Sequence, residues 1–76
     1  MYVKALTVAQ VSRLLGQRVR TERHRIGLTQ ERLAERVGLS PNFIAHLERG
    51  SRGASLDTIV TLARAFRVPV RTLFSA

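Results

Sequence analysis

The side chains of this sequence with the clearest chemical potential are basic. Lysine and arginine together number 13 against five acidic residues, which gives a formal net charge of +8 at pH 7. Lys4 is the only lysine, so arginine carries nearly all of this charge. A guanidinium group is planar and donates hydrogen bonds in a fork that matches phosphate oxygens and the edge of guanine. The composition therefore favours a polyanionic partner, with nucleic acids, acidic proteins and anionic membranes as open alternatives.

The same inventory argues against an enzyme. The chain has no cysteine and only two histidines, His24 and His46. It contains no H-E-x-x-H motif, no glycine-rich motif for phosphates or dinucleotides, and no paired-carboxylate signature. The absence of cysteine also excludes a disulfide framework and a cysteine-ligated zinc site. We therefore expect no catalytic site, no metal and no other cofactor.

The length and hydropathy pattern indicate one small domain. Its 76 residues contain no stretch near the roughly 20 apolar residues of a membrane span. The first residues lack the apolar run of a signal peptide. We therefore expect a cytoplasmic protein.

Apolar residues recur at helical spacing and predict an all-α fold of five short helices. The boundaries follow from capping residues: Thr7 and Gly27 for the first helix, Thr29 and Gly38 for the second, Ser40 and Gly50 for the third, Ser55 for the fourth, and Pro69 before a fifth that ends at Phe74. Gly16 is a candidate break in the first helix. Side chains expected to face the core include Val8, Val11, Leu15 and Val19 in the first helix, and Leu56, Ile59, Val60, Ala63 and Phe66 in the fourth. Residues 1–13 are predicted to be an N-terminal extension, and residues 14–76 the helical domain.

The centre of the chain has the pattern of two helices joined by a sharp turn. Ala34 is small enough for the next helix to cross close to it, and Gly38 permits the positive φ of a tight turn. Ile44 and Leu47 would fix the third helix to its neighbours and leave its opposite face free. This segment, Gln30 to Arg49, resembles the helix-turn-helix of the Cro/repressor family, also called the XRE family.

The resemblance covers about Leu14 to Phe74. Beyond the central segment it rests on the motifs Gly27-Leu28-Thr29-Gln30, Leu47-Glu48-Arg49-Gly50, Ser55-Leu56-Asp57-Thr58 and Leu73-Phe74. The chain departs from the family pattern at Arg67, where glycine is usual, and at Pro69, where a serine cap is usual. In its small size, the chain also resembles the controller proteins of restriction–modification systems and small phage regulators. The resemblance implies a Cro/repressor-like DNA-binding domain whose third helix enters a major groove.

The resemblance further implies that the N-terminal part of the third helix contacts base edges. The candidates are the positions outside its apolar stripe: Ser40, Pro41, Asn42, Ala45 and His46. Asn42 is the strongest candidate, because a side-chain amide can pair with N6 and N7 of adenine. The alternative interpretation of Asn42 is an ordinary exposed asparagine at a helix start. The alternative for His46 is a solvated surface histidine.

A second set of residues is expected to contact the DNA backbone. The candidate phosphate contacts are Arg23, Thr29, Gln30, Arg49 and Arg52. Thr29 and Gln30 stand at the N-terminus of the second predicted helix, where free backbone N–H groups and the helix dipole favour an anion. By the family pattern, Arg23 should also pair with Glu48 as a scaffold ion pair. The sequence leaves open whether this pair is buried.

The C-terminal apolar residues are the candidate dimer interface. They are Phe66, Val68, Val70, Leu73 and Phe74, with the segment from Tyr2 to Leu6 as a further candidate. The alternative is that these residues close the core of a monomer. A homodimer is expected because one recognition helix reads only a few base pairs.

The sequence therefore predicts a sequence-specific double-stranded DNA-binding transcriptional regulator that acts as a homodimer on an inverted-repeat operator. The alternative is an antitoxin-type interaction protein that neutralises a toxin and autoregulates its operon. A role at membranes is disfavoured, because the apolar face of the basic first helix is needed for the core.

Overall fold

The computed structural model describes residues 7–75. Within that range it contains four α-helices, one 3-10 helix and no strand. The elements are α1 (Val8–Arg25), α2 (Gln30–Val37), α3 (Pro41–Arg49), α4 (Leu56–Phe66) and the 3-10 helix η1 (Val70–Phe74). The predicted all-helical class is therefore confirmed, but the expected fifth α-helix is a 3-10 helix. Pro69, which stands before η1, provides no side-chain cap, and a segment of five residues is short for an α-helix.

Helix α1 lies between the predicted capping residues and is continuous. Its start is the predicted capping box: the Gln10 backbone N–H donates to Thr7 Oγ1 (3.1 Å), and the Thr7 N–H donates to Gln10 Oε1 (2.9 Å). The helix continues through Gly16, so the expectation of a break at this residue was wrong. The predicted domain boundary between residues 13 and 14 falls inside this continuous helix.

Gly16 lets α1 approach the backbone of α3. A Cβ atom added at Gly16 would lie 2.2 Å from the Leu47 carbonyl oxygen and 2.7 Å from that of Glu48. No side chain larger than hydrogen fits that distance without a shift of one helix. The glycine therefore serves close packing between helices, which a single sequence cannot distinguish from a helix break.

The pair α2 and α3 forms the predicted helix-turn-helix. Thr29 Oγ1 accepts a hydrogen bond from the Arg32 backbone N–H, and Ser40 Oγ accepts one from that of Phe43, both at 3.1 Å. Gly38 ends α2 in the left-handed region, with φ 70°. The boundaries predicted from these caps are confirmed. They could be predicted because each capping interaction lies within four residues of sequence.

The core lies between α1, the helix-turn-helix and the C-terminal elements. Its fully buried large side chains are Val19, Leu33, Ile44, Leu47, Leu62, Phe66 and Leu73. Three expected core residues are instead exposed: Val8 at 83%, Leu56 at 80% and Val60 at 39%. Val8 and Leu56 stand in the first turn of their helices, where the neighbouring elements do not cover them. Leu62, which the predicted stripe of α4 omitted, faces the core instead.

Candidate nucleic-acid interface

The surface of α3 that faces away from the core carries most of the predicted base-contacting residues. Pro41, Asn42 and His46 are exposed, and Ala45 is half-buried. Ile44 and Leu47, on the opposite side, are fully buried. The structure therefore places these four predicted base-contacting residues on the free side of the helix. Ser40 is also exposed, but its hydroxyl group caps the helix.

The only acidic residue of α3 is turned away from this surface. Glu48 forms an ion pair with Arg23, and their side chains are 4% and 9% exposed. Arg23 Nε donates to Glu48 Oε2 at 2.6 Å, and Arg23 Nη2 donates to Oε1 at 3.0 Å. This is the predicted scaffold pair, and the structure shows that it is buried. The exposed face of α3 is thereby left with neutral and basic side chains.

Arg23 is a poor candidate for the predicted phosphate contact. Besides its two bonds to Glu48, its Nη1 donates to the Leu28 carbonyl oxygen at 2.8 Å. The residue as a whole is 7% exposed. We correct the sequence interpretation accordingly: Arg23 joins α1 to α3 and to the loop before α2, and its guanidinium group is occupied inside the protein.

Gln30 connects this buried pair to the start of α2. Its Nε2 donates to Glu48 Oε1 at 3.1 Å, and the residue is half-buried. One amide hydrogen is therefore used to fix the side chain, and the other is left over for a ligand. Thr29 is exposed beside it and caps α2. These two residues occupy the helix terminus at which the sequence predicted a phosphate contact.

Two arginines follow the exposed face of α3. Arg49 Nη2 lies 2.8 Å from His46 Nδ1, so this arginine is attached to the predicted base-contacting surface. The guanidinium carbon of Arg52 lies 4.9 Å from the centroid of the Phe43 ring. Both arginines are exposed. A cation over an aromatic face is attracted by the ring quadrupole, so Arg52 is held near α3 even without DNA.

Sequence reasoning missed a second buried carboxylate. Glu22 of α1 has a side chain only 5% exposed, and it pairs with Arg25 at 2.6 Å and with Arg18 at 3.3 Å. Arg25 Nη2 also donates to the Phe66 carbonyl oxygen at 2.7 Å, which ties α1 to the end of α4. The i,i+3 and i,i+4 spacings were visible in the sequence. The burial of Glu22 was not, because it depends on how other elements pack against α1.

The predicted dimer-forming residues separate into two groups. Phe66 and Leu73 are 1% and 0% exposed within one chain, so they close its core and cannot form a surface. Val68 is half-buried, whereas Val70 and Phe74 are each 42% exposed. The structure thus removes two of the five residues from the predicted interface. The segment from Tyr2 to Leu6 lies outside the described residues.

Residues 7–75 contain no group of three or more His, Asp or Glu side chains placed to hold a metal ion. No helix in the same range is both long enough and apolar enough to cross a bilayer.

Comparisons with known proteins agree with this geometry. The helix-turn-helix family model HTH_3 matches residues 17–73. The control protein C.SmaI of Serratia marcescens is 35% identical over 65 residues, which are 86% of this chain and 77% of that protein. A transcriptional regulator in the ATPase CF(0) region of Rhodospirillum rubrum is 39% identical over 69 residues. That match covers 91% of this chain but only 64% of the relative's length.

Solved structures give the same result. The restriction-modification controller protein C.AhdI from Aeromonas hydrophila superposes with a TM-score of 0.78 at 41% identity, over 83% of this chain and 96% of that one. The clp gene regulator ClgR from Corynebacterium glutamicum superposes with a TM-score of 0.79 at 28% identity, over 83% of this chain and 67% of that one. The sequence resemblance to Cro/repressor proteins is confirmed, and the chain belongs to the HTH_3 family of helix-turn-helix proteins.

Proposed function

We propose that this chain is a sequence-specific double-stranded DNA-binding transcriptional regulator that acts as a homodimer on an inverted-repeat operator. The observation that carries the proposal is the exposed face of α3. It presents Asn42, His46 and Arg49 while the single acid of the helix is buried in an ion pair. A helix with this surface fits a major groove, where side-chain donors and acceptors read base edges.

The surrounding residues would hold α3 in the groove. Gln30 and the start of α2 suit one phosphate, because unpaired backbone N–H groups at a helix N-terminus favour an anion. Arg49 and Arg52 flank the other end of α3 and suit further phosphates. Such contacts give affinity for any DNA sequence, whereas the face of α3 provides the discrimination.

The relatives support a regulatory role. Their names describe transcriptional regulators and control proteins, including the immunity repressor of Bacillus phage phi105, which is 36% identical over 59 residues. That match covers 78% of this chain and 41% of the repressor. None of these names points to the toxin-neutralising alternative, and no described feature favours it. We expect a non-catalytic, cytoplasmic protein.

The proposed dimer uses the apolar residues that remain on the surface. Val70 and Phe74 are partly exposed, and Phe74 lines an open groove of about 350 Å³ together with Val8, Val11 and Ile59. Two copies joined through this region would present two α3 helices to half-sites about one DNA turn, ~34 Å, apart. Analytical ultracentrifugation should show a dimer at tens of micromolar. Monomer alone, with and without operator DNA, would refute the dimer.

Selection of bound sequences from a random DNA pool tests specific binding. At near-physiological salt, we expect enrichment of an inverted repeat whose half-sites are separated by about one helical turn. Enrichment of a single half-site would support readout but contradict the dimer. Binding without any enrichment would contradict a sequence-specific regulator, because only the phosphate contacts would be at work.

A further inference from the structure

The environment of His46 determines which of its ring nitrogens carries a proton. Arg49 Nη2 lies 2.8 Å from Nδ1, within hydrogen-bond distance. A guanidinium group has only donors and stays protonated in proteins. Nδ1 must therefore be the acceptor in this contact, which leaves a neutral imidazole with its hydrogen on Nε2.

Ser51 by itself would favour the opposite tautomer, because its single hydroxyl hydrogen is used elsewhere. Its Oγ lies 3.3 Å from His46 Nδ1 and donates its hydrogen to the His46 carbonyl oxygen at 3.1 Å. The opposite tautomer would let Nδ1–H donate to Ser51 Oγ. It would also direct that hydrogen at the N–H group of Arg49, an unfavourable contact between two donors. The shorter contact, with the charged partner, decides between the two tautomers.

The outer ring nitrogen is consequently a donor directed away from these partners. Nε2 has no hydrogen-bond partner within residues 7–75, and the side chain is exposed one helical turn after Asn42. On this face of α3, a lone N–H group matches an acceptor and not a donor. In the major groove, guanine presents two acceptors, N7 and O6, and no donor. Adenine presents one acceptor beside a donor, thymine presents one acceptor beside a methyl group, and cytosine presents only the N4 donor, so guanine suits a lone N–H group best.

We propose that His46 is a specificity-determining residue that donates from Nε2 to guanine, and that Arg49 is the positioning residue that fixes this donor. The inference rests on the proposed function, since it specifies what the DNA-binding surface reads. This proposal is more specific than a contact to an unspecified nucleobase, because it assigns the direction of the hydrogen bond. Arg49 uses one of its five donor hydrogens here and keeps the others for a phosphate.

The tautomer can be measured without DNA. Nitrogen-15 NMR of the free protein in mildly alkaline buffer should show a protonated Nε2 and an unprotonated Nδ1 at His46. Exposed His24, which has no hydrogen-bond partner among the described side chains, is the internal reference for an unconstrained ring. The Arg49→Met variant should move His46 towards the mixture seen for His24, and Arg49→Lys should keep more of the Nε2–H form. A dominant Nδ1–H form in the wild type would overturn the inference whatever the protein binds.

The specificity can be measured by repeating the DNA selection with variants. The wild type should prefer guanine at one position per half-site. His46→Ala should lose that preference, while preferences at the other positions remain. His46→Gln should move the preference towards adenine, because a glutamine amide pairs with N6 and N7 of adenine.

Modified DNA separates a base contact from a phosphate contact. Replacing that guanine by 7-deazaguanine should weaken wild-type binding about fivefold, the effect of one hydrogen bond. The same replacement should not further weaken DNA binding by the His46→Ala variant. If the wild type selects a specific site but His46→Ala keeps every base preference, His46 contacts phosphate or solvent and the inference is wrong. If the wild type selects no sequence, both the proposed function and this inference fail. That result is distinguishable from the one in which only the His46→Ala substitution has no effect.

Discussion

At the scale of single residues, the ion pair of Arg23 and Glu48 explains how α3 is both anchored and presented. The pair fastens the inner side of α3 to α1 and, through Gln30, to the start of α2. It also removes a negative charge from the surface expected to approach DNA phosphates. One buried interaction therefore serves stability and electrostatics together.

We predict that Glu48→Ala strongly destabilises the protein. The substitution leaves the buried guanidinium of Arg23 without its partner, at a cost of about 3–5 kcal/mol in the free energy of unfolding. Urea denaturation monitored by circular dichroism measures this loss. The matched control is Glu35→Ala, since Glu35 pairs with Arg32 at 4.0 Å with both side chains 75% exposed. That control should cost less than about 1 kcal/mol, and equal losses would contradict the account of the buried pair.

We predict that Asn42→Ala and Arg52→Ala weaken DNA binding in different ways. Asn42→Ala should relax the preference at one base position by about 1–3 kcal/mol. Arg52→Ala should weaken binding to all sequences alike and reduce the slope of log K against log salt by about one. Fluorescence anisotropy with the selected duplex and single-base variants, at several salt concentrations, distinguishes these results. A uniform loss from Asn42→Ala would contradict its role in base readout.

At the scale of the elements, α1 is the scaffold on which the helix-turn-helix rests. Gly16 brings it against the end of α3, while Leu15 and Val19 enter the core. The position of α3 therefore depends on a close approach between two backbones as well as on the helix-turn-helix itself.

We predict that Gly16→Ala destabilises the protein although alanine is the better helix former. The new methyl group would meet the Leu47 carbonyl oxygen, and overpacking of this kind typically costs about 1–3 kcal/mol. Thermal unfolding should show a lower Tm. Gln17→Ala, at the next and exposed position, is the control and should change stability by less than about 0.5 kcal/mol. An unchanged or higher Tm for Gly16→Ala would contradict the close approach of α1 to the backbone of α3.

We predict that Arg67→Gly stabilises the protein. Arg67 ends α4 with φ 58°, a left-handed conformation that costs most L-residues about 1–2 kcal/mol. Glycine removes this cost but adds entropy to the unfolded chain, so the net gain should be about 1 kcal/mol, or roughly 4–8 °C in Tm. Arg64→Gly, within the exposed last turn of α4, should instead lose up to about 1 kcal/mol. A lower Tm for both variants would contradict the assigned backbone conformation.

At the scale of the whole molecule, the sequence predicted what depends on neighbouring residues and missed what depends on packing. The caps at Thr29, Ser40 and Ser55 fixed three helix starts, because each hydrogen bond closes within three residues. By contrast, the burial of Phe66 and Leu73 depends on how the C-terminal elements pack against the other helices. The spacing that suggested an interface was equally consistent with a core.

The candidate site shows the same division. Positions on the outer face of α3 followed from helical periodicity, which placed Asn42 and His46 together. The hydrogen bonds of Arg23 to Leu28 and Glu48, and the contact between His46 and Arg49, depend on packing that periodicity does not specify.

Charge also acts at the level of the whole molecule. Two of the five acids, Glu22 and Glu48, have side chains no more than 5% exposed and paired with arginine. The surface is therefore depleted in negative charge, which favours approach to DNA at low salt. Specific binding must accordingly be measured near physiological salt, where the contribution of the phosphates is smaller.

The most direct test of the central claim is an NMR titration of the nitrogen-15-labelled protein with the duplex recovered by selection. The account predicts that backbone amide signals of α3 and of the first turn of α2 change most, and that those of α4 interior residues change least. A duplex with the selected bases scrambled should produce smaller changes at Asn42 and His46 under the same salt conditions. Changes confined to α4 and η1, with α3 unaffected, would show that DNA binds elsewhere and would contradict the account.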